Sequence, residues 1–141
     1  SEKSIKGLHI LLAEDNELNM EIAEFMLQNE GADVTKAWNG QEAVELFEKS
    51  RAGEFDVILM DIMMPVMNGY DATKTIRSLD REDAKEVPII AMTANAFTED
   101  RIRAKEAGMD EHIAKPVDAK LLVKVIHKLV DWRKILSEGD S

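Results

Sequence analysis

Short apolar runs alternate with amphipathic stretches along nearly all of the 141 residues. Leu8 to Ala13 (Leu-His-Ile-Leu-Leu-Ala) is short and apolar enough for a buried strand, and it runs straight into Glu14-Asp15. Asn16 is placed to cap a helix in which Leu18, Ile22, Phe25 and Met26 recur at helical spacing, closed by Gly31. Ala32 to Ala37 predicts a second strand. Asn39-Gly40 then turns into a helix carrying Ala43, Val44, Leu46 and Phe47, ended near Gly53. Phe55 to Met60 predicts a third strand, which delivers Asp61 and breaks into a loop punctuated by Pro65 and Gly69. Tyr70 to Leu79 predicts a helix with Ala72, Ile76 and Leu79 on one side.

A charged connection, Asp80 to Glu86, leads to a fourth strand over Val87 to Thr93. Ala94 to Ala107 predicts a polar, Ala-rich helix closed by Gly108. Glu111 to Ala114 makes a brief fifth strand before Lys115-Pro116, and Asp118 can cap a last helix. In that helix Leu121, Leu122, Val125, Ile126, Leu129 and Val130 form a broad apolar face. Strands starting near residues 8, 32, 55, 87 and 111 are mostly 23 or 24 apart, which suits repeated strand-helix units. The expectation is an α/β fold, a parallel sheet covered on both faces. Its boundaries are a flexible N-terminal end at 1–6, one domain at 7–133, and a flexible C-terminal end at 134–141.

Charge narrows the partners. With 28 acidic against 18 basic residues the net charge is −10, and no Lys/Arg cluster is segregated, so direct nucleic-acid binding is not expected. No apolar stretch approaches the ~20 residues needed to span a bilayer, so no membrane contact is expected of this segment. The absence of cysteine excludes a disulfide framework and a Cys-based metal site, and suits a cytoplasmic location.

Candidate chemistry collects at the strand ends. In an open parallel sheet the carboxyl ends of the strands form the ligand-binding edge. Glu14-Asp15 follow strand one, Asp61 ends strand three, Thr93 ends strand four, and Lys115 follows strand five. Three carboxylates brought together should raise a pKa or hold a divalent cation. Oxygen ligands without His or Cys favour Mg²⁺ or Mn²⁺. A lysine and a hydroxyl beside the metal complete a pocket for a phosphoryl group. No Gly-rich phosphate cradle is present, so the group arrives on a donor, and a carboxylate such as Asp61 can accept it as an acyl phosphate. Helix capping by Asp15 or Asn16 is a structural use of the same stretch and does not exclude metal binding.

In order, Glu14-Asp15, Met60-Asp61-Ile62-Met63-Met64-Pro65-Val66-Met67-Asn68-Gly69, Thr93-Ala94 and Lys115-Pro116 resemble the receiver (response-regulator, CheY-like) domain family over roughly residues 7–130. Ala37-Trp38-Asn39-Gly40-Gln41-Glu42-Ala43 and Ala107-Gly108-Met109-Asp110 are further family-like phrases. The resemblance implies a doubly wound five-stranded parallel sheet, strand order 2-1-3-4-5, in a flavodoxin-like (βα)5 three-layer sandwich. It implies that Asp61 is phosphorylated by the phosphohistidine of a histidine kinase or histidine phosphotransfer domain, switching conformation or relaying the phosphoryl group in a two-component phosphorelay. Asp15, Asp61 and the Met63 carbonyl would bind Mg²⁺, and Glu14 would act through a metal-bound water. Thr93 would hydrogen-bond the phosphoryl group and move toward it, and Lys115 would pair with its oxygens. Ile89-Ile90-Ala91-Met92-Thr93-Ala94-Asn95-Ala96, with Tyr70-Asp71-Ala72-Thr73, is closest in wording to receivers of hybrid sensor kinases. Such a module catalyses its own phosphorylation and dephosphorylation and is not a metabolic enzyme; a homodimer on activation is a further expectation.

Two positions depart from the family pattern. Glu14 stands where Asp is commoner, and His112 stands where strand five usually carries Tyr or Phe. A solvated edge-strand histidine is preferred to a pH-sensitive switch at His112. Among alternatives, a Mg²⁺-dependent phosphatase or phosphotransferase working through an aspartyl-phosphate would want a second acid two residues after its nucleophile, where this chain has Met63. A non-catalytic interaction module would lack Mg²⁺ binding. FMN binding would want an aromatic-flanked, Ser/Thr-rich phosphate loop after strand one, which is not found. The helix beginning near Leu18 would sit beside the site, where its exposed apolar residues could meet a helical phosphodonor.

Overall fold

The computed structural model describes residues 5–94 and 97–139. Five strands, β1 (His9–Ala13), β2 (Asp33–Ala37), β3 (Val57–Asp61), β4 (Ile89–Thr93) and β5 (Glu111–Ala114), form one parallel sheet in the order β2-β1-β3-β4-β5. Among the described residues six helices connect and follow them: α1 (Glu17–Asn29), α2 (Gly40–Lys49), α3 (Gly69–Arg77), α4 (Glu82–Glu86), α5 (Thr98–Ala107) and α6 (Ala119–Gly139). The expected doubly wound α/β topology is therefore the one observed.

Strand side chains alternate between two cores, as the pleat requires. Leu11, Ile58, Met60 and Ala91 pack with Ala43, Val44 and Phe47 of α2, Tyr70 and Ile76 of α3, Ala84 of α4, and Ala104 and Ala107 of α5. Ile10, Leu12, Val57, Leu59, Ile90 and Met92 pack with Met20, Ala23 and Leu27 of α1 and Leu122 and Ile126 of α6. Caps fix where the helices begin. Asn16, Asn39 and Asn68 each accept a hydrogen bond from the backbone N–H three residues on, and Asp118 Oδ1 accepts from Lys120 and Leu121.

Four expectations need correction. The charged connection 80–86 contains α4, whose single buried anchor is Ala84; one alanine in a charged run leaves no periodic signal to read. The helix expected from Ala94 starts at Thr98, because Phe97 is extended (φ −71°, ψ 153°) and acts as the N-cap residue. The stripe Leu18, Ile22 and Phe25 of α1 is turned outward, while Met20, Ala23 and Leu27 face the sheet, so two apolar stripes compete on that helix and the smaller Ala23 faces inward. Fourth, both expected ends carry structure: Ile5 is fully buried within 1–6, and α6 continues through 139. Residues 1–4, 95, 96, 140 and 141, which belong to the expected ends and to the expected start of the helix from Ala94, lie outside the described residues. Among the described residues no helix is long and apolar enough to cross a membrane.

Candidate functional site

The site grows out of sheet register. Ala13 pairs with Met60, so Glu14 and Asp61 come level on adjacent strands at the carboxyl edge. Glu14 is still tied to the sheet, its N–H donating to the Ala37 carbonyl at 3.1 Å. On the other side Asp61 pairs with Met92, and Thr93 pairs with Ala114, which brings Lys115 to the same edge. The Lys115 N–H donates to the Thr93 carbonyl at 2.8 Å, and the Lys115-Pro116 peptide bond is cis. This is the edge, beside the place where strand order reverses, at which open α/β sheets hold ligands.

The side chains converge. Lys115 Nζ lies 2.6 Å from Glu14 Oε1 and 3.1 Å from Asp61 Oδ2. Glu14 Oε2 also accepts the Asn16 N–H at 3.1 Å. One ligand oxygen from each of Glu14, Asp15 and Asp61 fits within 4.8 Å of the others. Glu14, Asp61 and Thr93 are buried, and Asp15 is exposed. The helix cap falls to Asn16, so the Asp15 carboxylate is not engaged in capping. Met63, two residues past Asp61, turns its side chain to solvent at 79% exposure.

Two glycines let the loops close on this edge. A Cβ at Gly69 would lie 2.3 Å from the Asp61 carbonyl oxygen, so α3 can begin against the backbone of the third strand's last residue only without a side chain. A Cβ at Gly40 would lie 2.3 Å from the Met67 carbonyl, the same oxygen that accepts the Gly40 N–H at 3.0 Å. Between these glycine contacts the loop makes a tight turn, Met67 N–H to the Pro65 carbonyl at 2.7 Å, with Val66 at φ 67°.

Electrostatics define what the site can hold. Burial, then the negative charge of Glu14, push the Asp61 carboxyl up to about 7, against the opposing pull of Lys115. Burial also pushes Glu14 up, but the Lys115 ammonium and the Asn16 N–H outweigh it and hold Glu14 below the usual carboxylate range. Lys115 is raised on balance: desolvation alone would lower it, and its two carboxylate partners more than compensate. One ammonium thus faces two buried carboxylates with a third at the rim. A small divalent cation with oxygen preference fits that donor set, and no sulfur or imidazole ligand is in it.

Residues 10–127 match the response regulator receiver domain family. The chain belongs to that family. It is 36% identical over 159 residues to histidine kinase 1 of Arabidopsis thaliana, covering 92% of this chain and 13% of that protein. It is 43% identical over 122 residues to hybrid signal transduction histidine kinase M of Dictyostelium discoideum, covering 86% of this chain and 5% of that one. The receiver therefore spans a small fraction of these relatives' lengths. Among solved structures it resembles the receiver domain of a sensor histidine kinase from Pseudomonas aeruginosa, described with a magnesium ion coordinated in its active site cleft. The match has a TM-score of 0.80 at 41% identity and covers 89% of this chain and 98% of that one.

The receiver's structure brings Glu14, Asp15, Asp61 and Lys115 into one cluster, with Thr93 at the neighbouring strand end. His112 does not stand solvated. Its side chain is 24% exposed, and its Nε2 accepts a 2.7 Å hydrogen bond from Arg101 Nε. Arg101 had no signal in the sequence, because only the phase of α5 against β5 brings the two together. A groove beside the cluster, lined by Asn19, Ile22, Met26, Pro116 and Val117 and reaching Glu14 and Lys115, encloses about 130 Å³.

Proposed function

We propose that Asp61 is the phosphoacceptor of a two-component phosphorelay, loaded from the phosphohistidine of a histidine kinase or histidine phosphotransfer domain. The observation that carries this is the Lys115 ammonium held between two buried carboxylates, with a third acid close enough to complete a cation site. An ionised Asp61 oxygen attacks phosphorus; the P–O bond forms as the P–N bond to the donor imidazole breaks, and the electron pair leaves with that nitrogen. Lys115, already 3.1 Å from Asp61, is placed to neutralise the phosphoryl oxygens, and Thr93 supplies a hydroxyl at the adjacent strand end. Asp15, Asp61 and the Met63 carbonyl would hold Mg²⁺, with Glu14 behind a metal-bound water; when bound, the ion supplies positive charge to the transferring group. The magnesium described for the Pseudomonas receiver supports the same use of these residues here. Met63 in place of a second acid argues against a turnover phosphatase. A cytoplasmic location, where phosphohistidine donors work, goes with this function.

Mg²⁺ with beryllofluoride, an acyl-phosphate mimic, should stabilise the protein and shift the fluorescence of half-exposed Trp38. Asp61→Asn should abolish the response; a full response in the mutant overturns the assignment.

We place the donor on α1. Leu18, Ile22 and Phe25 are 64%, 46% and 70% exposed, and Ile22 also lines the groove next to Lys115, which supports docking of a helical phosphodonor there. Alanine at Leu18, Ile22 or Phe25 should slow phosphotransfer from the protein donor and leave labelling by acetyl phosphate unchanged. Equal slowing with both donors would refute the docking face.

A further inference from the structure

Few apolar contacts secure α5. Of its ten residues, only Ala104 and Ala107 are buried. The rest of its attachment is polar. Tyr70 Oη donates to the Asp100 carbonyl at 3.5 Å, and the Arg103 guanidinium sits 4.4 Å over the Tyr70 ring. Arg77 Nε and Nη2 donate to the Gly108 carbonyl at 3.0 and 2.9 Å. Arg101 Nε donates to His112 Nε2 at 2.7 Å, joining the helix to the edge strand β5.

That last tether differs chemically from the others. To accept a hydrogen bond, Nε2 must carry its lone pair, so the ring is neutral with its proton on Nδ1. A doubly protonated ring has no acceptor at that nitrogen and sets a second cation against the guanidinium. Of these four tethers, it is the one whose acceptor is an imidazole nitrogen, which a single proton can take out of hydrogen bonding.

The surroundings keep the ring reachable. Arg101, Lys105, Met109, Asp110, Glu111 and His112 line an open cleft of about 440 Å³. The charged groups that share this cleft from α5 are Arg101, bonded to the ring, and Lys105. From β5 and the turn before it they are Glu111, whose Oε1 lies 3.6 Å from Nδ1, and Asp110. On β4 the residue paired with His112 is the uncharged Ala91, and α6 packs on the opposite face of the strand, against Ile113. Protonation therefore trades one hydrogen bond for repulsion from Arg101 and Lys105 and attraction to Glu111 and Asp110. All of these consequences fall on the α5 side of the strand.

We propose that Arg101 and His112 form a proton-operated latch on α5, closed while His112 is neutral and opened when it is protonated. The latch acts without phosphorylation, so it stands apart from the phosphoacceptor assignment. Hydrogen exchange of the intact chain, corrected for intrinsic rates, tests it between pH 5 and pH 8. The α5 amides should exchange about three- to tenfold faster at pH 5, the range expected for losing one hydrogen bond, while those of α2 hold their protection. In His112→Gln, whose side-chain oxygen can accept from Arg101 at any pH, α5 should stay slow throughout. In Arg101→Met it should be fast throughout. Equal α5 protection at both pH values in the wild type, or an unchanged pH response in either variant, overturns the latch. Nitrogen-15 NMR of the wild-type imidazole needs no substitution: a proton on Nδ1 alone at pH 8 supports it, and a proton on Nε2 refutes it.

Discussion

The ammonium of Lys115 stands 3.1 Å from the Asp61 carboxylate while also pairing with Glu14 at 2.6 Å, so one cation serves two buried acids. Removing it strands both. Lys115→Met should lower metal-free stability by about 2–3 kcal/mol, below the usual cost of breaking a fully buried pair because the lysine side chain is 21% exposed. Urea unfolding in EDTA and in Mg²⁺ checks this, with part of the deficit recovered by the metal. Phosphorylation of the variant should be lost or strongly slowed.

The raised Asp61 carboxyl sets a pH dependence whose sign is fixed. In the unfolded chain an Asp titrates near 3.9; in the folded protein this one titrates at about 7. Between those values the native state holds more protons than the unfolded state, so the Asp61 contribution to stability falls as pH rises and levels off above about 7. Asp61→Asn should remove that slope and make the metal-free protein more stable than wild type at pH 8. Because proton and Mg²⁺ compete for the same oxygens, wild-type Mg²⁺ affinity should strengthen up to that pH and then plateau. Denaturation in EDTA and calorimetric Mg²⁺ titrations, each across pH 5 to 8, measure both.

Arg81 clamps the α2–β3 connection from outside the site. Its Nη1 donates to the Phe47 and Ser50 carbonyls at 3.0 and 3.1 Å, its Nε and Nη2 grip Asp83, and the guanidinium lies 4.7 Å from the Phe47 ring centroid. Asp83 in turn accepts the Gly53 N–H at 3.0 Å. Arg81→Ala should cost about 2–3 kcal/mol through several unpaired carbonyls and the loss of the stacked cation. Arg81→Lys should recover little of it, since an ammonium cannot reproduce the fork. Chemical denaturation gives the cost, and an unchanged beryllofluoride response shows that the site is unaffected.

Val66 holds φ 67° with its side chain 81% exposed, an expensive conformation for a β-branched residue that gains nothing from burial. Val66→Gly should raise stability by about 0.5–1 kcal/mol, with Asn intermediate and Ala showing little gain. Thermal unfolding of the three variants orders them.

What the sequence by itself determined was the layered fold and the chemical inventory of the site. Runs such as Val57 to Met60 declare buried strands, Asn16 and Asn39-Gly40 mark helix starts, and acids, hydroxyl and lysine fall at strand ends because strand period and helix length dictate where each unit stops. Tertiary structure decided the rest. Which of two apolar stripes on α1 faces the sheet depends on how closely Ala23 lets the helix approach, so Leu18 and Phe25 could not be assigned to the surface beforehand. The Arg101–His112 bond and the rise of Asp61 to about 7 depend on distances across the fold and on the exclusion of water, neither of which a one-dimensional pattern encodes.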